Sequence, residues 1–139
     1  MSPFSEFLHH IRVRHGLRQA DLAKRIGYEQ SYISALEVGL KGPPTDEFVE
    51  RLAVALELTE EEQAKLRAAV QASQRKLVID ADAPPDVYWL LQDLRDEIQD
   101  LSPAKIRVLR EVIALRSPAH EAREAPRRIK RRLSEEAPM

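Results

Sequence analysis

The chain contains no cysteine, which excludes disulfides and thiolate-held metals as sources of stability. A reducing interior suits such a sequence, and the cytoplasm is the expected location. Aromatic residues make up only 5%, so leucine, isoleucine, valine and alanine must fill the core. No run of about 18 apolar residues occurs, so no membrane span is expected. The opening MSPFSEF has neither a basic n-region nor an apolar h-region, and no signal peptide is expected. Strand patterning is missing too: no stretch alternates apolar and polar for long, and β-branched residues never cluster.

What remains is a helical pattern over 139 residues, enough for one domain plus an accessory segment or for two small domains. The net charge of -1 weighs against nucleic-acid binding, because such domains are usually basic. The charge is unevenly spread, however. Residues 1–43 hold Arg12, Arg14, Arg18, Lys24, Arg25 and Lys41 against Glu6, Asp21, Glu29 and Glu37, a mildly positive balance. The acidic excess lies chiefly in 44–62 and 80–100.

Helical periodicity divides the chain. Ser2 caps a first helix with Pro3 at its first position, expected to run to about His15 with Phe4, Phe7, Leu8 and Ile11 on one stripe. Gly16 supplies a left-handed stop. A second helix is expected from Gln19 to Ile26 and a third from about Glu29 to Val38, with Gly27 between them. Leu22, Ala23 and Ile26 of the second, and Ile33 and Leu36 of the third, point inward. Gly39 to Pro44 reads as a loop. Thr45 caps a fourth helix, whose Asp46 and Glu47 complement its dipole and whose buried face is Phe48, Val49, Leu52, Ala53 and Leu56. Thr59 and Glu62 have capping-box spacing and open a fifth, carrying Leu66, Ala69 and Val70.

Residues 1–78 are therefore expected to form one five-helix domain, followed by a linker at 79–86. Val87, Leu91, Leu94, Ile98 and Leu101 then make a short heptad seam. Ser102-Pro103 starts a further helix with Ile106, Leu109, Val112, Ile113 and Leu115, giving a helical hairpin over 87–117. From 118 to 139 the composition is charged and rich in proline, and a disordered tail is expected.

The most informative stretch is Gln19 to Glu37, QADLAKRIGYEQSYISALE, two short helices about a tight turn. Ala23 sits where the two helices meet, and Gly27 sits where positive φ favours glycine. Ile33 and Leu36 would hold the third helix on the core and turn its polar face outward. A helix-turn-helix uses its second helix in this way, in the DNA major groove.

This spacing resembles that of the Cro and lambda-repressor-like family of DNA-binding domains, the XRE type. The resemblance is carried by Gln19, Ala23, Gly27, Ile33, Leu36, Glu37 and Gly39 and covers roughly Phe4 to Val70. It implies an all-α, five-helix DNA-binding domain with double-stranded DNA as partner. Carried onto matching positions, it implies that Gln19 anchors a phosphate at a helix N-terminus. Gln30 and Ser31 would enter the groove first, and Ala35, a turn later, faces the same side. A glutamine amide can bond adenine N6 and N7 together, which makes Gln30 the best base reader, and Ala35 suits a thymine methyl. Tyr32 and Ser34 would flank the groove, and Lys41 in the loop would meet a phosphate. One position departs: Arg18 stands where a capping serine or threonine is usual, so the cap is expected to be lost at about 1 kcal/mol. In exchange, Arg18 would add a phosphate contact.

Blander readings stand beside these. The helix pair could be a plain hairpin, Glu37 a salt-bridge partner of Arg12 or Arg14, and Tyr28 and Tyr32 surface packing. His9, His10, His15 and His120 lack ligand spacing, so no metal is expected, and no cofactor either. No nucleophile, base and acid set appears, so the chain is not expected to be an enzyme.

For the hairpin two readings remain: packing on the N-terminal domain, or homodimerisation through 86–116 as a four-helix bundle. Residues 80–100 are acidic apart from Arg95, whereas 102–132 carries Lys105, Arg107, Arg110, Arg116, Arg123 and the Arg127–Arg132 cluster. Opposite fields favour antiparallel pairing over like-on-like. The basic cluster reads equally as a DNA-backbone contact or as a solvated charge run. The expected function is a transcriptional regulator, by default a repressor, bound as a homodimer to an inverted repeat. Two alternatives stay open: an antitoxin giving 86–139 to a protein partner, or a protein-interaction module without DNA contact.

Overall fold

The computed structural model describes residues 1–116. The expected tail at 118–139, with His120, Arg123 and the Arg127–Arg132 cluster, lies outside them, as does the last residue of the expected hairpin. Seven helices and no strand occur among the described residues: α1 (Pro3–Arg14), α2 (Gln19–Ile26), α3 (Gln30–Glu37), α4 (Asp46–Ala55), α5 (Glu60–Ala72), α6 (Pro85–Glu97) and α7 (Pro103–Ala114). They divide into two units, one spanning Met1–Ile79 and one beginning at Asp80.

In the first unit, helix starts follow side-chain chemistry. The Ser2 hydroxyl accepts the Ser5 N–H at 3.1 Å, and Pro3 has no N–H to leave unpaired. Thr45 caps α4 through the Phe48 N–H at 3.2 Å. Thr59 and Glu62 form the full reciprocal box, each side chain accepting the other's backbone N–H at 3.1 Å. Helix ends follow backbone freedom: Gly16 and Gly27 are left-handed at φ 67° and 77°. Glu57 takes the same region at φ 48° after α4, where glycine is the usual residue.

The core is mostly aliphatic, as the shortage of aromatics requires. Phe4, Leu8 and Ile11 of α1 meet Leu22, Ala23 and Ile26 of α2, Ile33 and Leu36 of α3, Phe48 and Leu52 of α4 and Leu66 of α5. Leu56 and Leu58 close it between α4 and α5. Val49, Ala53 and Val70, expected inside, are only partly covered at its margin. The two buried phenylalanines meet edge to face with centroids 6.2 Å apart. Truncating a fully buried leucine such as Leu22 or Leu66 to alanine would cost about 2–5 kcal/mol. α1 packs on α3 and α5, α2 on α3 and α4, and α4 on α5. The pair α2–α3 is thus clamped from both sides.

In the second unit, α6 starts at Pro85, two residues before the expected Val87, because Pro84 is extended and Pro85 fits the first helical position. Ser102 caps α7 through the Lys105 N–H at 3.1 Å. Lys105 Nζ lies 3.4 Å from a Glu97 carboxylate oxygen across the turn. Neither helix has a single buried residue.

Candidate nucleic-acid interface

The turn between α2 and α3 is built around Gly27. Its left-handed backbone lets the Tyr28 N–H reach the Ala23 carbonyl at 3.0 Å and end α2 within one residue. Arg51 of α4 crosses behind the turn. Its Nη1 donates to the Ile26 carbonyl at 3.2 Å and its Nη2 to Glu47 at 2.7 Å, while its guanidinium lies 5.4 Å from the Tyr28 ring centre. Arg51 escaped the sequence reading. Its pairing with Glu47, four residues earlier, was visible, but the carbonyl and ring it meets come from segments distant along the chain.

α3 sits with Ile33 and Leu36 at 0% exposure and with Gln30 and Ser31 in solvent. One turn on, Ser34 and Ala35 are half-buried. Glu29 gives α3 no side-chain cap, and its carbonyl instead accepts the Tyr32 N–H at 3.1 Å. Tyr28 and Tyr32 stack at 5.4 Å with a 20° interplanar angle, and both meet the Phe48 ring edge-on. Burial, and secondarily Tyr28, pushes the Tyr32 hydroxyl above the usual tyrosine range. Lys41 lies over the Tyr32 ring, 5.6 Å from its centre. Ser31, Tyr32, Ala35 and Lys41 thereby line one shallow concavity with Gly27, Tyr28 and the acidic Glu29. Four of the eight expected contact residues meet there, and Gln30 stands beside them at the helix start.

Of the other three, Ser34 is outside the concavity on α3, and Arg18 and Gln19 lie at the start of α2. Gln19 is half-buried, and its amide N–H donates to Glu37 at the far end of α3. Glu37, only 4% exposed, also accepts Arg12 Nε at 2.8 Å and lies 3.3 Å from His9 Nδ1. Arg12 in turn donates to the Leu17 carbonyl at 2.7 Å. This network ties α1, the approach to α2 and the end of α3 together, so Glu37 is a structural ion-pair partner facing Arg12 and turned away from solvent.

At Arg18 the lost cap is half replaced. An arginine side chain has no acceptor to offer, but the Asp21 carboxylate accepts the Arg18 backbone N–H at 3.1 Å. The same carboxylate holds the Arg18 guanidinium at 3.1 and 3.3 Å. The guanidinium bond first, and the backbone bond second, hold the Asp21 carboxyl below the usual aspartate range. Arg18, expected at a phosphate, is thus engaged with Asp21 in the free protein.

A family model described as a helix-turn-helix domain matches residues 3–75, just over half of the chain. The chain belongs to this helix-turn-helix domain family, in line with the Cro-like, XRE-type pattern of its sequence. Its class is that of DNA-binding regulators. No curated protein matches the chain. No helix among the described residues is long and apolar enough to cross a membrane.

Proposed function

We propose that the protein is a transcriptional regulator that binds a specific operator through α3 and acts as a homodimer on an inverted repeat. One observation carries the reading: α3 is pinned by two fully buried aliphatic residues while Gln30 and Ser31 stand in solvent at its N-terminal end. That is the end of a recognition helix that meets base edges. The assigned contacts are Gln30, Ser31 and Ala35 to bases, and Arg18, Gln19, Tyr32, Ser34 and Lys41 to sugar and phosphate. Two copies would address half-sites about 10–10.5 bp apart, or a multiple of that. Repression by occluding polymerase in the cytoplasm is the simplest outcome, and no catalytic role is proposed.

The test is selection of bound sequences from random duplexes, followed by mobility shift on the selected site. Gln30→Ala with Ser31→Ala should lower specific affinity by at least about tenfold, because each good base contact discriminates by roughly 1–3 kcal/mol. Unchanged specific affinity would remove α3 as the reader. A second reading, an antitoxin that gives 86–139 to a toxin, is favoured by the exposed apolar side chains of α6 and α7. An adjacent small toxin reading frame would support it.

A further inference from the structure

We propose that Glu29 determines specificity at one base pair of the operator, its carboxylate accepting a hydrogen bond from the N4 amine of a cytosine; this rests on the reading of α3 as the DNA reader. Glu29 stands in extended backbone immediately before α3 and is exposed. It lines the same concavity as Ser31 and Ala35, two of the residues proposed for base contact. A side chain that shares a surface with base readers enters the groove with them. Its carboxylate is not committed within the protein. It gives α3 no cap, and among the described residues it has neither an ion pair nor a side-chain hydrogen bond. The cations around it are held elsewhere: Arg18 by Asp21, Arg12 by Glu37, Arg51 by Glu47, and Lys41 over the Tyr32 ring.

A free negative charge on a surface that meets phosphates is repelled by every duplex, whatever its sequence. A base that supplies a donor offsets that repulsion, so the charge favours some sequences over others. Base-edge chemistry narrows the choice. An ionised carboxylate only accepts hydrogen bonds. The major groove offers it two amines, cytosine N4 and adenine N6, while guanine and thymine present acceptors at O6, N7 and O4. Adenine N6 stands beside the N7 acceptor, which opposes the second carboxylate oxygen. Cytosine has no acceptor on its own major-groove edge and is the better match. Consecutive Cα atoms lie about 3.8 Å apart and stacked base pairs about 3.4 Å, so Glu29 and Gln30 reach neighbouring base pairs. The cytosine therefore belongs next to the adenine assigned to Gln30.

The test is selection from random duplexes with the full chain as wild type, Glu29→Gln, Glu29→Ala and Gln30→Ala, with thermal melts to verify folding. Anisotropy titrations then compare the selected site with its single-base variants. Wild type should select a cytosine beside the adenine that depends on Gln30. Replacing that C·G pair by T·A puts an acceptor in place of the amine and should weaken wild-type binding by at least about fivefold. Glu29→Gln should move the preference at that pair from cytosine to adenine, because an amide can bond N6 and N7 together. Glu29→Ala should leave no preference there. A Glu29→Gln protein that selects the wild-type sequence, even with affinity raised evenly on all duplexes, would make Glu29 a mere source of repulsion and overturn the proposal. So would a preference that depends on residue 29 but is for a base other than cytosine. A wild type that selects no sequence would instead remove α3 as the reader, whereas a selected site altered by Gln30→Ala and not by Glu29→Gln would remove this proposal alone.

Discussion

A Cβ placed on Gly27 would lie 3.2 Å from Nη1 of Arg51, the atom that donates to the Ile26 carbonyl. Gly27 is therefore favoured by its left-handed backbone, and a methyl group there would also press on the guanidinium behind it. Gly27→Ala should destabilise the first unit by about 1–2 kcal/mol from the backbone alone. Displacing Arg51 should add to that. In an Arg51→Ala background the second contribution should vanish, so a double-mutant cycle by urea denaturation should give a coupling of about 0.5 kcal/mol or more. Strict additivity would mean that Arg51 adapts without loss.

Glu37 tests whether the interface depends on the network beneath it. Glu37→Ala removes the carboxylate that Arg12 and Gln19 share, leaving the Arg12 guanidinium largely buried without its ionic partner. Breaking such a buried pair costs about 3–5 kcal/mol. DNA affinity should also fall at temperatures where the variant remains folded, because Gln19 loses its anchor at the start of α2. A variant that loses stability but binds a half-site normally would confine Glu37 to folding.

These two residues also mark how far the sequence could be read. The helices were legible because each carries its own cap, stop or apolar period within a few residues, as Thr45, Gly27 and the Ile33–Leu36 pair do. Glu37 as a partner for Arg12 was legible too, since the α1 and α3 stripes must face each other. Arg51 was not, because its carbonyl and ring partners depend on how α4 crosses the turn. Nor was the half-cap at Arg18, where Asp21 supplies from inside the helix what the capping position lacks. In the second unit the helices were readable from Ser102-Pro103 and the heptad seam, but what covers them depends on another surface.

Acid should weaken the first unit through two carboxylates. Asp21 is held low first by the Arg18 guanidinium, and Glu62 first by the Thr59 backbone N–H. Each releases its proton more readily in the folded chain than in the unfolded one. Their contribution is therefore complete above the ordinary carboxylate range and is lost as pH falls through the depressed folded values. Thermal melts of Asp21→Asn and Glu62→Gln across that range should show a shallower acid limb than wild type and parallel behaviour near neutrality. An unchanged acid slope in both variants would show that neither carboxylate is held low in solution.

Lys41 and Gln30 should separate phosphate attraction from base reading. Lys41 is held over the Tyr32 ring beside the α3 concavity, and the role proposed for it is a phosphate contact. Lys41→Ala should weaken binding by a similar factor on every duplex and lower the magnitude of the log affinity against log salt slope by about 1. Gln30→Ala should leave that slope unchanged and relax preference at one position of the site, since a neutral amide releases no counterion. Fluorescence anisotropy on the selected site and on a scrambled duplex, at several salt concentrations, measures both. If the two variants exchange signatures, the groove-facing and backbone-facing sides of α3 have been assigned the wrong way round.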